Sequence, residues 1–244
     1  MPADARAKQF VLVHGMSHGA WCWEAVRARL AQSGHRVVAV DLPGHGPRAH
    51  ERRRVSVRSY AAAVADAMAL AGFDRAIVVG HSMAGVVIPK VAERVPARVA
   101  HLVFVAAVVP ASGSSLIETH IPAAMRPLLR GLAAAGDGAI QYPAALESAR
   151  WMSDLAPGDP RVVESLARLT PQPARPWFER VDLSRFYAMD VPRTYVRCLR
   201  DAAVPPAKAA EYALRLGVVP VDLDCANGPM LSMVEPFVRL LEAA

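Results

Sequence analysis

The chain has 244 residues, 53% of them apolar, and a formal net charge of +6. That length buries a substantial core and is most simply one domain with room for an insertion; two independent domains would be cramped. The positive charge comes from scattered arginines; the one dense cluster, ERRRVSVR at Glu51 to Arg58, has no accompanying aromatic residues and reads as a solvated loop face, so nucleic acid is not an expected partner.

In chain order, MPADARAKQF has no apolar run of signal-peptide length behind its charges. FVLVH (Phe10 to His14) is the first β-branched run, and AWCWEAVRARLAQSG follows as a helix closing on glycine. RVVAVD (Arg36 to Asp41) is the second run, and SVRSYAAAVADAMALAG is the second helix. Then come RAIVVG (Arg75 to Gly80) and HLVFVAA (His101 to Ala107), and near the end RTYVRCL (Arg193 to Leu199) and VPVDLD (Val219 to Asp224). Several runs are apolar on both faces, as strands of a parallel sheet covered by helices on both sides must be. The longest apolar stretch, Leu102 to Val109, is too short to cross a bilayer, so no membrane is expected and the chain reads as cytoplasmic. Cys22, Cys198 and Cys225 lack metal-ligand or disulfide spacing and read as buried thiols.

The rhythm breaks between residues 111 and 189, a proline-rich stretch containing Trp151, Trp177, Phe178, Phe186 and Tyr187 with helical patches and no convincing strand. It reads as a helical lid inserted into a core formed by residues 1–110 and 190–244. The lid's apolar residues point to a medium-sized apolar small molecule, of polyketide type, as substrate.

The most informative stretch is RAIVVGHSMAGVVIPKVAERV, in which a strand runs through Gly80-His81-Ser82-Met83-Ala84-Gly85 directly into a helix. A strand-turn-helix of this kind lifts the serine hydroxyl clear of the sheet, and small residues are needed beside it. The backbone N–H groups that open the helix face any oxyanion formed there. Ala84 stands where G-x-S-x-G has its second glycine, which narrows the contact between strand and helix.

VLVHGMSHGAWCWEAV, DLPGHG, GHSMAG, LVFVAAVVP, LTPQP and YVRCLRDAAVPP together resemble the α/β-hydrolase superfamily, and more narrowly its branch of plant-type methylesterases, hydroxynitrile lyases and small bacterial esterases. The resemblance implies the α/β-hydrolase fold, a mostly parallel sheet flanked by helices, and no cofactor or metal. It leaves a homodimer open. Ser82 matches the nucleophile, the backbone N–H groups of Met16 and Met83 match the oxyanion hole, and Asp201 matches the acid. Asp201 also suits the N-cap of the following helix. His14 and His18 match positions that shape the oxyanion loop, and His81 packs beneath the elbow. Gly15, His18, Trp151 and Phe178 are the expected substrate-facing residues. Hydroxynitrile lyases of this branch carry threonine and lysine where this chain has Gly15 and Gly228, which favours the esterase-like side.

The family's final block reads about L-D-x-x-H-x-P-M-L-S, whereas this chain reads Leu223-Asp224-Cys225-Ala226-Asn227-Gly228-Pro229-Met230-Leu231-Ser232. The resemblance therefore implies Asn227 in the place of the base. An amide can hold Asp201 by a hydrogen bond, but it cannot accept the serine proton. Four accounts follow: non-hydrolytic chemistry such as elimination, isomerisation, cyclisation or carbonyl addition; another base among His18, His45, His50 and His120; a deliberately inactivated hydrolase; or a noncatalytic binding protein.

Overall fold

The computed structural model describes residues 7–244; residues 1–6, part of the N-terminal stretch read above, lie outside the described residues. The strands are β1 (Gln9–Val13), β2 (Arg36–Val40), β3 (Ala76–His81), β4 (Val99–Val105), β5 (Ala139–Ile140), β6 (Gln172–Pro173), β7 (Arg193–Cys198) and β8 (Val221–Leu223). The helices are α1 (Glu24–Gln32), α2 (Val57–Leu70), α3 (Val87–Arg94), α4 (Leu116–His120), α5 (Arg126–Ala135) and α6 (Ala144–Trp151), then α7 (Pro160–Arg168), α8 (Arg175–Phe178), α9 (Ser184–Tyr187), α10 (Pro206–Arg215), α11 (Pro229–Ser232) and α12 (Val234–Ala243).

Six strands form one sheet in the order β2-β1-β3-β4-β7-β8, and every neighbouring pair is parallel. Side chains alternate between its faces. Val11 and Val13 pack with Tyr60, Val64, Val87 and Val91 on one side, and Phe10 and Leu12 pack with Val26, Leu30, Phe237 and Leu241 on the other. Each fully buried side chain of this size contributes about 1.5–3 kcal/mol. Both faces are thus covered, as the two-sided apolar runs require. Chain order reverses about β1, so β1 and β3 flank a switch point at whose carboxyl ends open α/β sheets hold their ligands.

Helix α2 begins at Ser56 with a reciprocal capping box through Ser59, and it ends before Gly72 at φ +61°. The VPVDLD run contributes only the three residues of β8, because Pro220 has no N–H for the ladder. Residues 111–189 are mostly short helices, but they also contain the antiparallel pair β5–β6, where no strand was expected. Two residues are too few for an alternation to be visible in sequence. Among the described residues no helix is long and apolar enough to cross a membrane. In the ERRRVSVR cluster the four arginines are exposed while Val55 and Val57 are buried, and Arg53 pairs with Asp137 at 2.7 Å.

Candidate active site

The turn after β3 sets Ser82 at φ +51°, a left-handed conformation that costs a non-glycine residue about 1–2 kcal/mol. The surrounding packing over-determines it. A Cβ on Gly80 would lie 2.8 Å from Ile88, and one on Gly85 would lie 2.4 Å from the carbonyl oxygen of Val108. The Val108 N–H in turn donates to the Ser82 carbonyl at 3.0 Å. The tightest approach behind the serine therefore falls on Gly85, and Ala84 is accommodated fully buried.

The loop after β1 lies directly against this turn. A Cβ on Gly15 would meet Ser82 Cβ at 2.9 Å and His81 Nδ1 at 2.8 Å, so only glycine fits. His14 donates from Nδ1 to the Gly15 carbonyl (2.8 Å) and accepts the Leu42 N–H on Nε2 (3.1 Å), which makes it a neutral structural imidazole. Burial holds it well below the usual histidine range. Ser17, at φ +62°, is clamped by residues 170–172: its N–H donates to Gln172 Oε1 (3.1 Å), and its carbonyl accepts the Thr170 N–H (2.9 Å). His45 donates from Nε2 to the same Gln172 oxygen (3.0 Å). The Met16 N–H between these anchors has no hydrogen-bond partner among the described residues. Met83 lies in the first turn after Ser82, where N–H groups have no partner within the turn.

His18 donates from Nδ1 to the Met16 carbonyl (2.7 Å), which leaves Nε2 with its lone pair and no partner among the described residues. Its ring stacks on Trp21 (5.3 Å) and meets Trp151 of α6 edge-on (5.0 Å). Burial lowers its pKa to about 4, so the ring is neutral at physiological pH. Phe178 lies elsewhere, beneath the Arg130 guanidinium at 4.8 Å.

Asp201 follows β7. Its Oδ1 accepts the N–H groups of Ala203 (2.7 Å) and Val204 (2.8 Å), and its Oδ2 accepts the Asn227 side-chain N–H at 2.8 Å. It is not the N-cap of α10, a position held by Pro205; it caps the tight turn before that helix, because the intervening VPP extends the chain. Burial pushes its pKa up to about 6 against the pull of those hydrogen bonds. Asn227 is fully buried. With its Nδ2 committed to Asp201, its Oδ1 accepts from His81 Nε2, which also reaches the Asn227 carbonyl, both at 3.0 Å. His81 Nδ1 is buried without a partner, and burial lowers this imidazole to about 3. The Ser82 hydroxyl has no hydrogen-bond partner among the described residues.

Of the other histidines, His45 is spent on Gln172, His120 lies 3.4 Å from the Tyr212 hydroxyl, and His50 is exposed. His45, a candidate base by sequence, is a positioning residue instead, and the sequence reading missed two more, Gln172 and Asp154. Asp154 Oδ2 accepts from the Ala226 N–H (2.9 Å) and the Ser232 hydroxyl (2.7 Å), which pins the Asn227 loop to the inserted segment. Only the LTPQP match hinted at one of them. The three cysteines are buried and free, and among the described residues no group of three or more His, Cys, Asp or Glu could hold a metal ion.

Over 119 residues the chain is 42% identical to Esterase PIR7B from Oryza sativa subsp. japonica, spanning 47% of this chain and 44% of that protein. It is 39% identical over 117 residues to Norfluorocurarine synthase 2 from a Strychnos species, spanning 47% of this chain and 42% of that one. The matches thus cover less than half the length of these relatives. A solved structure of an extracellular alpha/beta-hydrolase from a Paenibacillus species superposes with a TM-score of 0.88 at 26% identity, covering 97% of this chain and 98% of that one. That protein is described as sharing structural and functional homology with tobacco salicylic acid binding protein 2. A sequence model of the alpha/beta hydrolase family matches residues 10–240, nearly the whole chain, and the chain belongs to that family.

Proposed function

We propose that this protein acts on the carbonyl or ester group of a medium-sized apolar metabolite, with Asn227 in the place of the triad histidine, and that its reaction is not serine hydrolysis. The observation that carries this reading is the commitment of Asn227: its N–H is given to Asp201 and its oxygen to His81, while the Ser82 hydroxyl has no proton acceptor. The N–H groups of Met16 and Met83 donate to the carbonyl oxygen and stabilise negative charge that develops there. Ser82 orients the substrate by hydrogen bonding. Asp201 has both oxygens occupied and lies behind Asn227, so it orients the amide instead of taking a substrate proton directly. Trp151 and His18 supply the apolar wall, and residues 111–189 act as the lid.

Asn227→His, assayed on short activated esters beside the parent chain, tests this reading. The parent is expected to show no Ser82-dependent turnover above background. The substitution is expected to raise hydrolysis by about 10²–10⁴-fold, the usual contribution of a positioned general base. Rapid parent hydrolysis through an acyl intermediate on Ser82 would overturn it.

Serine ester hydrolysis with His18 as proton acceptor is the second reading, favoured by the lone pair on its unpartnered Nε2. It requires that parent hydrolysis exist and that His18→Gln abolish it.

A further inference from the structure

Helices α5 and α6 and the turn after Asp201 enclose a cleft of about 620 Å³, large enough for a small organic ligand. Four of the ten large apolar side chains exposed among the described residues lie along it: Met125, Leu128, Leu132 and Leu146. Ala202 and Ala203, immediately after Asp201, also line it. Isolated exposed leucines are ordinary, but a lined concave group with a polar end is the form of a ligand site.

The polar end is Arg150. Its ring-side neighbour is Tyr142, whose ring centre lies 5.7 Å from the guanidinium carbon. Its Nε is buried without a hydrogen-bond partner, and among the described residues the guanidinium pairs with no carboxylate. The other cation on the cleft, Lys208, is neutralised by Glu211 at 2.9 Å. His120 is held neutral by burial, with a pKa lowered to about 4. Asp201 lies near enough for Arg150 to favour its ionised form, but the guanidinium makes no hydrogen-bonded pair with it, so its N–H groups line the apolar trough unpaired. A planar guanidinium with free N–H groups matches a carboxylate, and a single charge matches a monoanion.

We propose that the α5–α6 cleft is a binding site for an amphipathic monocarboxylate, with its apolar body along Leu128 and Leu132 and its carboxylate on Arg150. The cleft abuts the candidate active site through Ala203, whose N–H donates to Asp201 Oδ1, and its test reads binding in place of turnover.

Titration calorimetry of the parent with decanoate and with decanol, each below its aggregation limit, at pH 7.5 and low salt, tests it. Decanoate is expected to bind at one per chain, about tenfold or more tighter than decanol, since the carboxylate adds a charge-assisted pair at a poorly solvated end. Arg150→Leu is expected to remove that preference and keep decanol binding. Leu128→Glu, at a side chain 55% exposed and therefore tolerant of change, is expected to weaken both ligands by blocking the trough. Equal binding of decanoate and decanol, or a preference that survives Arg150→Leu, overturns the proposal. So does ligand binding indifferent to Leu128→Glu, binding only to anionic vesicles, or a concentration-dependent dimer that this substitution dissolves.

Discussion

Asp201 buries a carboxylate beside the Asn227 amide, and its ionisation must then weigh on stability. Its folded pKa is about 6, against 3.8 for the free side chain, and the leading cause is burial. The folded state therefore binds a proton that the unfolded state has lost, so stability falls as pH rises from about 4 to about 6. Above that window the raised pKa costs about 3 kcal/mol, to order of magnitude. Asp201→Asn removes the charge. The new amide keeps its oxygen on the Ala203 and Val204 N–H groups, and Asn227 turns over to offer its oxygen to the other end. That rearrangement has its own cost, but the cost is the same at every pH. Urea unfolding of parent and variant at pH 4.5 and 7.5 cancels it: the variant is expected to gain about 2 kcal/mol relative to the parent between the two pH values. A relative stability that does not change with pH would refute the reasoning, since it would mean that Asp201 ionises as an ordinary carboxyl.

Two further substitutions probe how the site is held. Gln172→Ala leaves the Ser17 N–H and the His45 ring unpaired in a fully buried place; a loss of about 2–4 kcal/mol is expected in urea unfolding, with a larger loss of native turnover as the Met16 loop shifts. Gly85→Ala drives a methyl into the Val108 carbonyl and is expected to cost about 1–3 kcal/mol or more by the same measurement, whereas Gly131→Ala in α5 meets nothing within 4 Å and is expected to stabilise by about 0.5–1 kcal/mol.

The sheet and the serine turn were legible because their signals are local. Phe10 to Val13 and Ala76 to His81 are continuous apolar runs, and the Ser56 and Gly72 helix boundaries lie within a turn of the residues they cap. The β5–β6 pair was not legible, since two residues carry no period. Asp201 was legible as an acid at a strand end, but its capping target was set by the two prolines of VPP, which postpone α10 until Pro206. The union of His81 with Asn227 spans 146 positions in sequence, and that of Ser17 with Gln172 spans 155. No local pattern announces such contacts. They arise because the carboxyl ends of β1, β3, β7 and β8 and the inserted segment converge at one edge of the sheet. Arg150 was invisible for a related reason: an unpaired arginine looks like any other until its neighbours are known.

The central claim is that Ser82 sits in a strained, nucleophile-like turn without a proton acceptor. Intact-mass measurement after exposure to a fluorophosphonate, with peptide mapping of the adduct, reads this directly in the parent and in Asn227→His. The account predicts that Ser82 of the parent stays unmodified over the time in which the substituted chain is labelled completely; labelling of both at Ser82 and at equal rates would contradict it.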